Sequence, residues 1–356
     1  MSAARRDLVV IGASAGGVEV LTRVVKDLPI DLQAAVCIVL HISPGSPSAL
    51  AHILGRAGKL PCRRAGDGEP LRGGEILVAP PDRHLVVEDG HVRLTAGPRE
   101  NGHRPAIDVL FRSAAAALDS RVIGVVLSGT RDDGSAGLAV IKASGGATIV
   151  QDPHDAPYAG MPASAIANVA VDAIVPAALV GSTIAAMVKG ERPPPTARSD
   201  NPGPDPVPPD DPPDQPDPPD PPEPVTVVCP DCGGVLTERA EAGVLQWECR
   251  VGHRYSPDTL IDAQADDVES ALWAAIRALE DRAALLERMA HQADERAQDR
   301  SARRFLRQSQ AASEQAGTVR RALAGAAGST LRRVPDTDDE ERLRGPGSAG
   351  REEGAA

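Results

Sequence analysis

Residues Val9–Gly17 read VVIGASAGG. Three apolar residues run into GASAGG, and apolar positions then recur with helical spacing at Val18, Val20, Leu21, Val24 and Val25. The pattern predicts a buried strand, a tight glycine turn and a helix start. Gly12, Ser14 and Gly16 have the G-x-S-x-G spacing of a nucleophile elbow, whose glycines let the chain double back while the serine oxygen projects over the sheet. The next helix would aim free N–H groups and its positive dipole end at that spot, where an oxyanion would form. A second reading is a helix-capping serine, since serine is a favoured N-cap. A dinucleotide loop is a third, but the G-x-G-x-x-G spacing is missing. A serine hydroxyl needs a base to become a nucleophile, so the decision rests on what lies downstream.

The chain has 356 residues, enough for two or three domains, and is acidic, with a net charge of −12 and a pI near 5.2. Only 2% of its residues are aromatic and it has no strong basic block, which disfavours nucleic-acid binding. No apolar run reaches membrane-spanning length, and MSAARRDLVVIG enters the first strand without a signal-peptide pattern. A cytoplasmic location is expected. Of the five cysteines, Cys37 and Cys62 are isolated and three cluster late. In a reducing compartment such a cluster points to metal before disulfide.

Over residues 5–190, short apolar runs alternate with helical patterns. Strands are expected at Leu8–Ile11, Ala35–Leu40, Ile76–Ala79, Val122–Leu127, Ala147–Val150 and Ala173–Val175. Helices are expected at Val18–Lys26, Ser48–Leu54, Ile107–Leu118, Ser135–Ala143, Pro162–Ala167 and Ala177–Lys189. This is the α/β pattern of a doubly wound, mostly parallel sheet with helices on both faces. His84–Leu94 reads instead as a hairpin turning at Asp89-Gly90. Ligands in doubly wound sheets gather at the C-terminal strand ends. Ser14 follows the first strand, His41 the second, and Asp132 and Asp133 follow VIGVVLSGTRDDG. Each has an ordinary explanation alone, as a surface residue, turn or cap, yet together they supply the parts of a triad, which is defined by geometry and not chain order.

IGASAGG, the LH of VLHIS, RPAIDVLFRSAA, GVVLSGTRDDGSAGL and VQDPHDAPYAGMPASAI, in that order, resemble the catalytic domain of the CheB family of chemotaxis protein-glutamate methylesterases. The resemblance covers nearly all of residues 5–190. It implies a serine hydrolase acting on glutamyl methyl esters of methyl-accepting chemoreceptors, with glutamine deamidation as an accompanying activity. It implies Ser14 as nucleophile, His41 as general base and then acid, and Asp133 as the group that orients the histidine, with no cofactor for catalysis. Backbone N–H groups of Ala15 and Thr130 are the oxyanion candidates. Thr130-Arg131 stands where the family usually has Met-Gly, Ala15 where it usually has Thr, and Arg104-Pro105-Ala106 where it usually has RPS. Ser14 lies too near the start of this sequence for the family's N-terminal receiver domain, so regulation is expected from the C-terminal half, a partner or expression. The alternative is an esterase-fold scaffold that binds a receptor without turnover. A membrane association is expected only through the receptor.

Residues 191–224 hold 16 of the 33 prolines, and Ser199–Pro224 carries eight acids and no base. Such a segment cannot build a helix or core and is expected to be an extended, disordered linker. Residues 225–257 contain Cys229-x2-Cys232 and Cys249-x3-His253, the spacing of a zinc-ribbon-like module with a structural zinc. GVLTERAEAGVLQWE between the pairs reads as a small hairpin. Residues 258–327 keep an alanine-rich apolar stripe, broken by a polar patch at Asp299–Ser301. It predicts two antiparallel helices or one long helix with a register slip, packing on itself or on a second copy. Residues 328–356 are rich in glycine and charge and are expected to be disordered.

Overall fold

A computed structural model describes residues 6–42, 49–191 and 227–330. The linker expected at 191–224 falls outside these residues except for Glu191, and the expected tail falls outside them from residue 331.

The chain enters through β1 (Leu8–Ala13), α1 (Gly17–Asp27), β2 (Ala35–Leu40) and α2 (Leu50–Ala57). Three short strands follow, β3 (Cys62–Arg64), β4 (Glu69–Pro70) and β5 (Ile76–Val78). The hairpin β6 (His84–Glu88) and β7 (His91–Thr95) leads to α3 (Ile107–Leu118). Then come β8 (Val122–Val126), α4 (Ser135–Ala143), β9 (Ala147–Gln151), α5 (Gly160–Asn168), β10 (Ala173–Val175) and α6 (Ala177–Val188).

Seven strands form one sheet in the order β10-β9-β8-β1-β2-β5-β3, and every pairing in it is parallel. A parallel sheet needs cover on both faces, which explains why β1 and β2 are buried at every residue. Val9, Ile11 and Ala13 pack with α1, α2 and α6, whereas Leu8 and Val10 pack with α3, α4 and α5. β4, β7 and β6 make a separate antiparallel sheet. Asp89 and Gly90 both have positive φ (47° and 74°), as the tight hairpin turn of an Asp-Gly pair requires.

The sequence order reverses around β1: β2 lies on one side and β8, reached only after α3, on the other. This crossover point collects ligands in doubly wound sheets. β1 runs to Ala13, two residues beyond its expected end, so Gly12 sits in the strand and makes no turn. Its role is steric, since a Cβ there would lie 2.3 Å from Ile107 Cγ2.

Downstream, β11 (Leu236–Glu241), β12 (Val244–Cys249) and β13 (Arg254–Tyr255) form a three-stranded antiparallel sheet. The expected hairpin is β11–β12, turning at Ala242-Gly243, where φ is 49° and 83°. Cys229, Leu236, Cys249, Tyr255 and Leu260 make its small core. The described residues up to Gln264 constitute one compact unit that includes this module, and Val244 joins the core cluster of α3 and α4.

The second unit starts at Ala265, within α7 (Pro257–Glu295), and continues through α8 (Asp299–Thr330). The chain reverses at Arg296–Gln298, just before the expected patch, with Ala297 at φ 55°. Glu287 accepts from Ser309 and Glu280 from Arg320, so the partner numbers fall on one helix as they rise on the other and the pair is antiparallel. The alanine stripe is buried along this hairpin at Ala283, Ala290, Ala293, Ala302, Ala312 and Ala316. Among the described residues, no helix is long and apolar enough to cross a membrane.

Candidate active site

The turn after β1 is made by Gly16, whose φ of 70° is the left-handed conformation that glycine adopts at no steric cost. Gly16 is also the N-cap residue of α1, and no side chain caps that helix. The capping reading of Ser14 therefore fails. Its N–H is bonded to the Ser128 carbonyl (2.9 Å) and its Oγ lies 3.1 Å from His41 Nδ1.

His41 leaves the C-terminal end of β2, next to Ser14 because β1 and β2 are paired through Ala13 and Leu40. Its Nε2 lies 2.7 Å from Asp133 Oδ2, and both side chains are almost wholly buried. An ionised carboxylate only accepts, so Nε2 carries the ring proton and Nδ1 offers its lone pair to the Ser14 hydroxyl. Ser14, His41 and Asp133, drawn from three strand ends, thus form one hydrogen-bonded chain. Asp132, expected at the same rim, faces elsewhere: its Oδ1 accepts from Ser256 Oγ (2.6 Å) and Thr259 Oγ1 (2.8 Å).

Asp133 also accepts the N–H groups of Ile107 (2.8 Å) and Asp108 (3.2 Å) and one Asn101 amide hydrogen (3.0 Å). Burial pushes its carboxyl up, but the His41 hydrogen bond and charge and the Ile107 N–H outweigh burial and hold it well below the usual range. Asp108, buried beside it, goes the opposite way: burial and the Asp133 charge push it up. The two carboxyls are pushed in opposite directions, and the one that faces the imidazole, Asp133, is pushed toward its charged form.

His103 stacks on His41, with ring centroids 3.6 Å apart and planes 14° from parallel. Burial, then the nearby His41, lowers its pKa to about 4, so it is a neutral plate over the ring at neutral pH. His84 anchors the loop carrying His103: it accepts the Ala106 N–H at Nδ1 (3.2 Å) and donates from Nε2 to the Pro98 carbonyl (2.8 Å).

The oxyanion candidates flank Ser14. Ala15 is the next residue, and its carbonyl accepts Ser128 Oγ (2.8 Å). Thr130 follows Gly129, where a Cβ would lie 2.8 Å from Ser14 Cβ and 2.1 Å from Met161 Sδ, so glycine is what lets this loop approach the serine. Arg131 adopts φ 64°, a conformation that suits the glycine usual at this family position, and its Nε donates to Asp262 Oδ2 (3.1 Å). An open cleft of about 480 Å³ leads away from Ser14 and His41 between Val18, Ile42, Leu50 and Ile53.

In the downstream module, the ligand atoms of Cys229, Cys232, Cys249 and His253 all lie within 4.8 Å of one another. Cys232 and Cys249 sulfurs are 3.7 Å apart, and His253 Nδ1 is 3.7 Å from Cys229 Sγ and 3.5 Å from Cys249 Sγ. A disulfide needs about 2.05 Å. A tetrahedral zinc with bonds of about 2.3 Å to sulfur sets its ligands about 3.8 Å apart. The donor set and spacing fit such an ion. Gly233 (φ 70°) and Gly252 (φ 101°) make the two knuckle turns.

A family model described as CheB methylesterase matches residues 9–184. A Leptospira interrogans protein, provisionally named protein-glutamate methylesterase/protein-glutamine glutaminase, is 38% identical over 170 residues, which are 48% of this chain and 88% of that one. The chain belongs to the CheB methylesterase family. The CheB match extends to "Protein-glutamate methylesterase/protein-glutamine glutaminase 2" of Anaeromyxobacter dehalogenans, 42% identical over 49% of this chain and 51% of that one. A solved CheB methylesterase catalytic domain from Thermotoga maritima is 32% identical, covers 51% of this chain and 98% of that chain, and has a TM-score of 0.49. The chain spans about half the length of the Anaeromyxobacter relative. The CheB match ends at residue 184, so the metal-ligand cluster and both long helices lie outside it.

Proposed function

We propose that this domain hydrolyses glutamyl methyl esters on methylated chemoreceptors. The Ser14–His41–Asp133 chain at three neighbouring strand ends carries the reading. His41 Nδ1 takes the hydroxyl proton as Ser14 Oγ attacks the ester carbonyl, and Asp133 holds the ring and offsets the imidazolium charge. N–H groups of Ala15 and Thr130 receive the oxyanion. The intermediate collapses to a seryl ester, and His41 gives its proton to the departing methoxide, which leaves as methanol. Water, deprotonated by His41, attacks the seryl ester. Glutamate leaves and Ser14 regains its proton. Glutamine follows the same route with ammonia as leaving group, in keeping with the paired names of the relatives.

The experiment is methanol release from a receptor signalling fragment methylated on glutamate. Release of methanol with unmasking of one carboxylate per site is the expected result. Tight binding of the fragment without release would leave a scaffold and end the esterase reading.

We also propose that Cys229, Cys232, Cys249 and His253 hold a structural zinc. All four positions of a tetrahedron are protein ligands, and the module's few buried side chains are too small a core to fold unaided. Elemental analysis of the purified chain should return about one zinc per molecule. A metal-free chain whose β11–β12 amides are fully protected from hydrogen exchange would refute the assignment.

A further inference from the structure

Asn101 ties the metal-ligand module to the acid of the triad. It is buried in the loop between β7 and α3, with φ 52°. Its two amide hydrogens go to two carboxyl groups, Asp133 Oδ1 at 3.0 Å and Asp108 Oδ2 at 3.1 Å. Its amide oxygen accepts the Ser256 N–H (2.9 Å), and its own N–H donates to the Arg254 carbonyl (2.7 Å). Arg254 and Ser256 lie one and three residues after the metal ligand His253. The same short segment grips Asp132, the residue before Asp133, through the Ser256 and Thr259 hydroxyls.

The arrangement is directional. With the Ser256 N–H on its oxygen, the Asn101 amide points its NH2 at the two carboxyl groups. Turned over, it would set its oxygen against the Asp133 carboxylate. A segment that moved away from Asn101 would remove the two bonds that hold the residue against the carboxyls, and its withdrawal would leave both without their shared donor, a costly state in a low-dielectric site. Zinc bound at His253 and its three thiolates would hold residues 253–256 in place.

We propose that Asn101 is a positioning residue that makes the orientation of Asp133 toward His41 depend on the metal-bound state of the Cys229–Cys232–Cys249–His253 module. The inference rests on the esterase reading of Ser14 and on the zinc reading of the cluster. Metal loss then lowers esterase activity from outside the cleft.

The test uses the full chain with its zinc content measured. Stripping zinc from wild type with a chelator lowers kcat by about 10- to 100-fold, the scale of a misplaced catalytic group, with KM little changed. The low-field proton resonance of His41 Nε2–H weakens or shifts, and added zinc restores both readouts. Asn101→Gly, which suits the φ of this position, lowers kcat in the zinc-loaded chain by a similar factor, and chelation then lowers it little further. Zinc removal that leaves kcat and the resonance unchanged overturns the coupling. Effects of chelation and Asn101→Gly that multiply overturn Asn101 as its route. Should the glycine variant not fold, the wild-type resonance with and without zinc decides alone. A zinc-loaded wild type that shows the resonance but releases no methanol marks failure of the esterase reading, and the zinc dependence of the resonance still tests the link.

Discussion

Ser14→Ala lowers kcat for methanol release by about 10⁴- to 10⁶-fold, the scale seen when the nucleophile of a serine triad is removed. The loss is in chemistry. Gly16 caps α1, and the Ser14 hydroxyl has His41 as its partner, so the substitution takes away no helix cap. Folding stability should change by about 0.5 kcal/mol or less. A capping serine would give the opposite pattern, costing about 1 kcal/mol of stability and leaving turnover nearly intact. Measuring methanol release and the urea midpoint on one preparation separates the two. Substantial release by the alanine variant would remove Ser14 from the mechanism.

Asp133→Asn lowers kcat by about 10³- to 10⁴-fold, by analogy with the same change in another serine hydrolase. Asp133 now receives His41 Nε2, two backbone N–H groups and the Asn101 amide. An asparagine there must turn either its NH2 or its single oxygen toward the ring. The NH2 against Nε2 forces the ring proton onto Nδ1, which can then no longer take one from Ser14. The oxygen toward Nε2 leaves the NH2 facing other donors. Stability shows the same carboxylate through its pH dependence. Asp133 has a folded pKa below its unfolded value of about 3.9, so its contribution is fully present above that value and is lost as pH falls toward the folded one. Asp108 does not cancel, because the Asp133 charge helps to raise it, but a raised carboxyl changes stability only above its unfolded value, which leaves the range below about pH 4 to Asp133. The stability gap between wild type and Asp133→Asn should therefore narrow on acidification below about pH 4. A gap that holds constant into strong acid would show that the carboxylate is not held ionised by His41.

Much of the sheet was legible because each strand buried on both faces is a continuous apolar run, and Ser14, His41 and Asp133 stood out as polar residues where those runs stop. The two short strands β3 and β4, with three and two residues, give no periodicity to read. Asn101, His103 and Asp108 were missed for a different reason. Asn101 and His103 lie in the loop between the β6–β7 hairpin and α3, and Asp108 in the first turn of α3, all far in sequence from Ser14, His41 and Asp133, and only the fold brings Asn101 to Asp133 and His103 onto His41. RPAIDVLF already contained Asp108, but an aspartate in the first turn of a helix reads as a dipole partner, which hid its bonds to the Gly134 and Gly137 N–H groups. The cysteine spacing identified a module, whereas its grip on Asp132 and Asn101 depends on how Ser256 and Thr259 meet the domain.

The central claim is that the Ser14 hydroxyl is activated by His41. Treating the full chain with a fluorophosphonate and locating the adduct by peptide mass mapping tests it directly. The account predicts one adduct, on the Ser14 peptide, formed in step with loss of methanol release and greatly slowed in His41→Ala. Full methanol release from a chain whose Ser14 carries the adduct, or labelling that ignores His41, would contradict it.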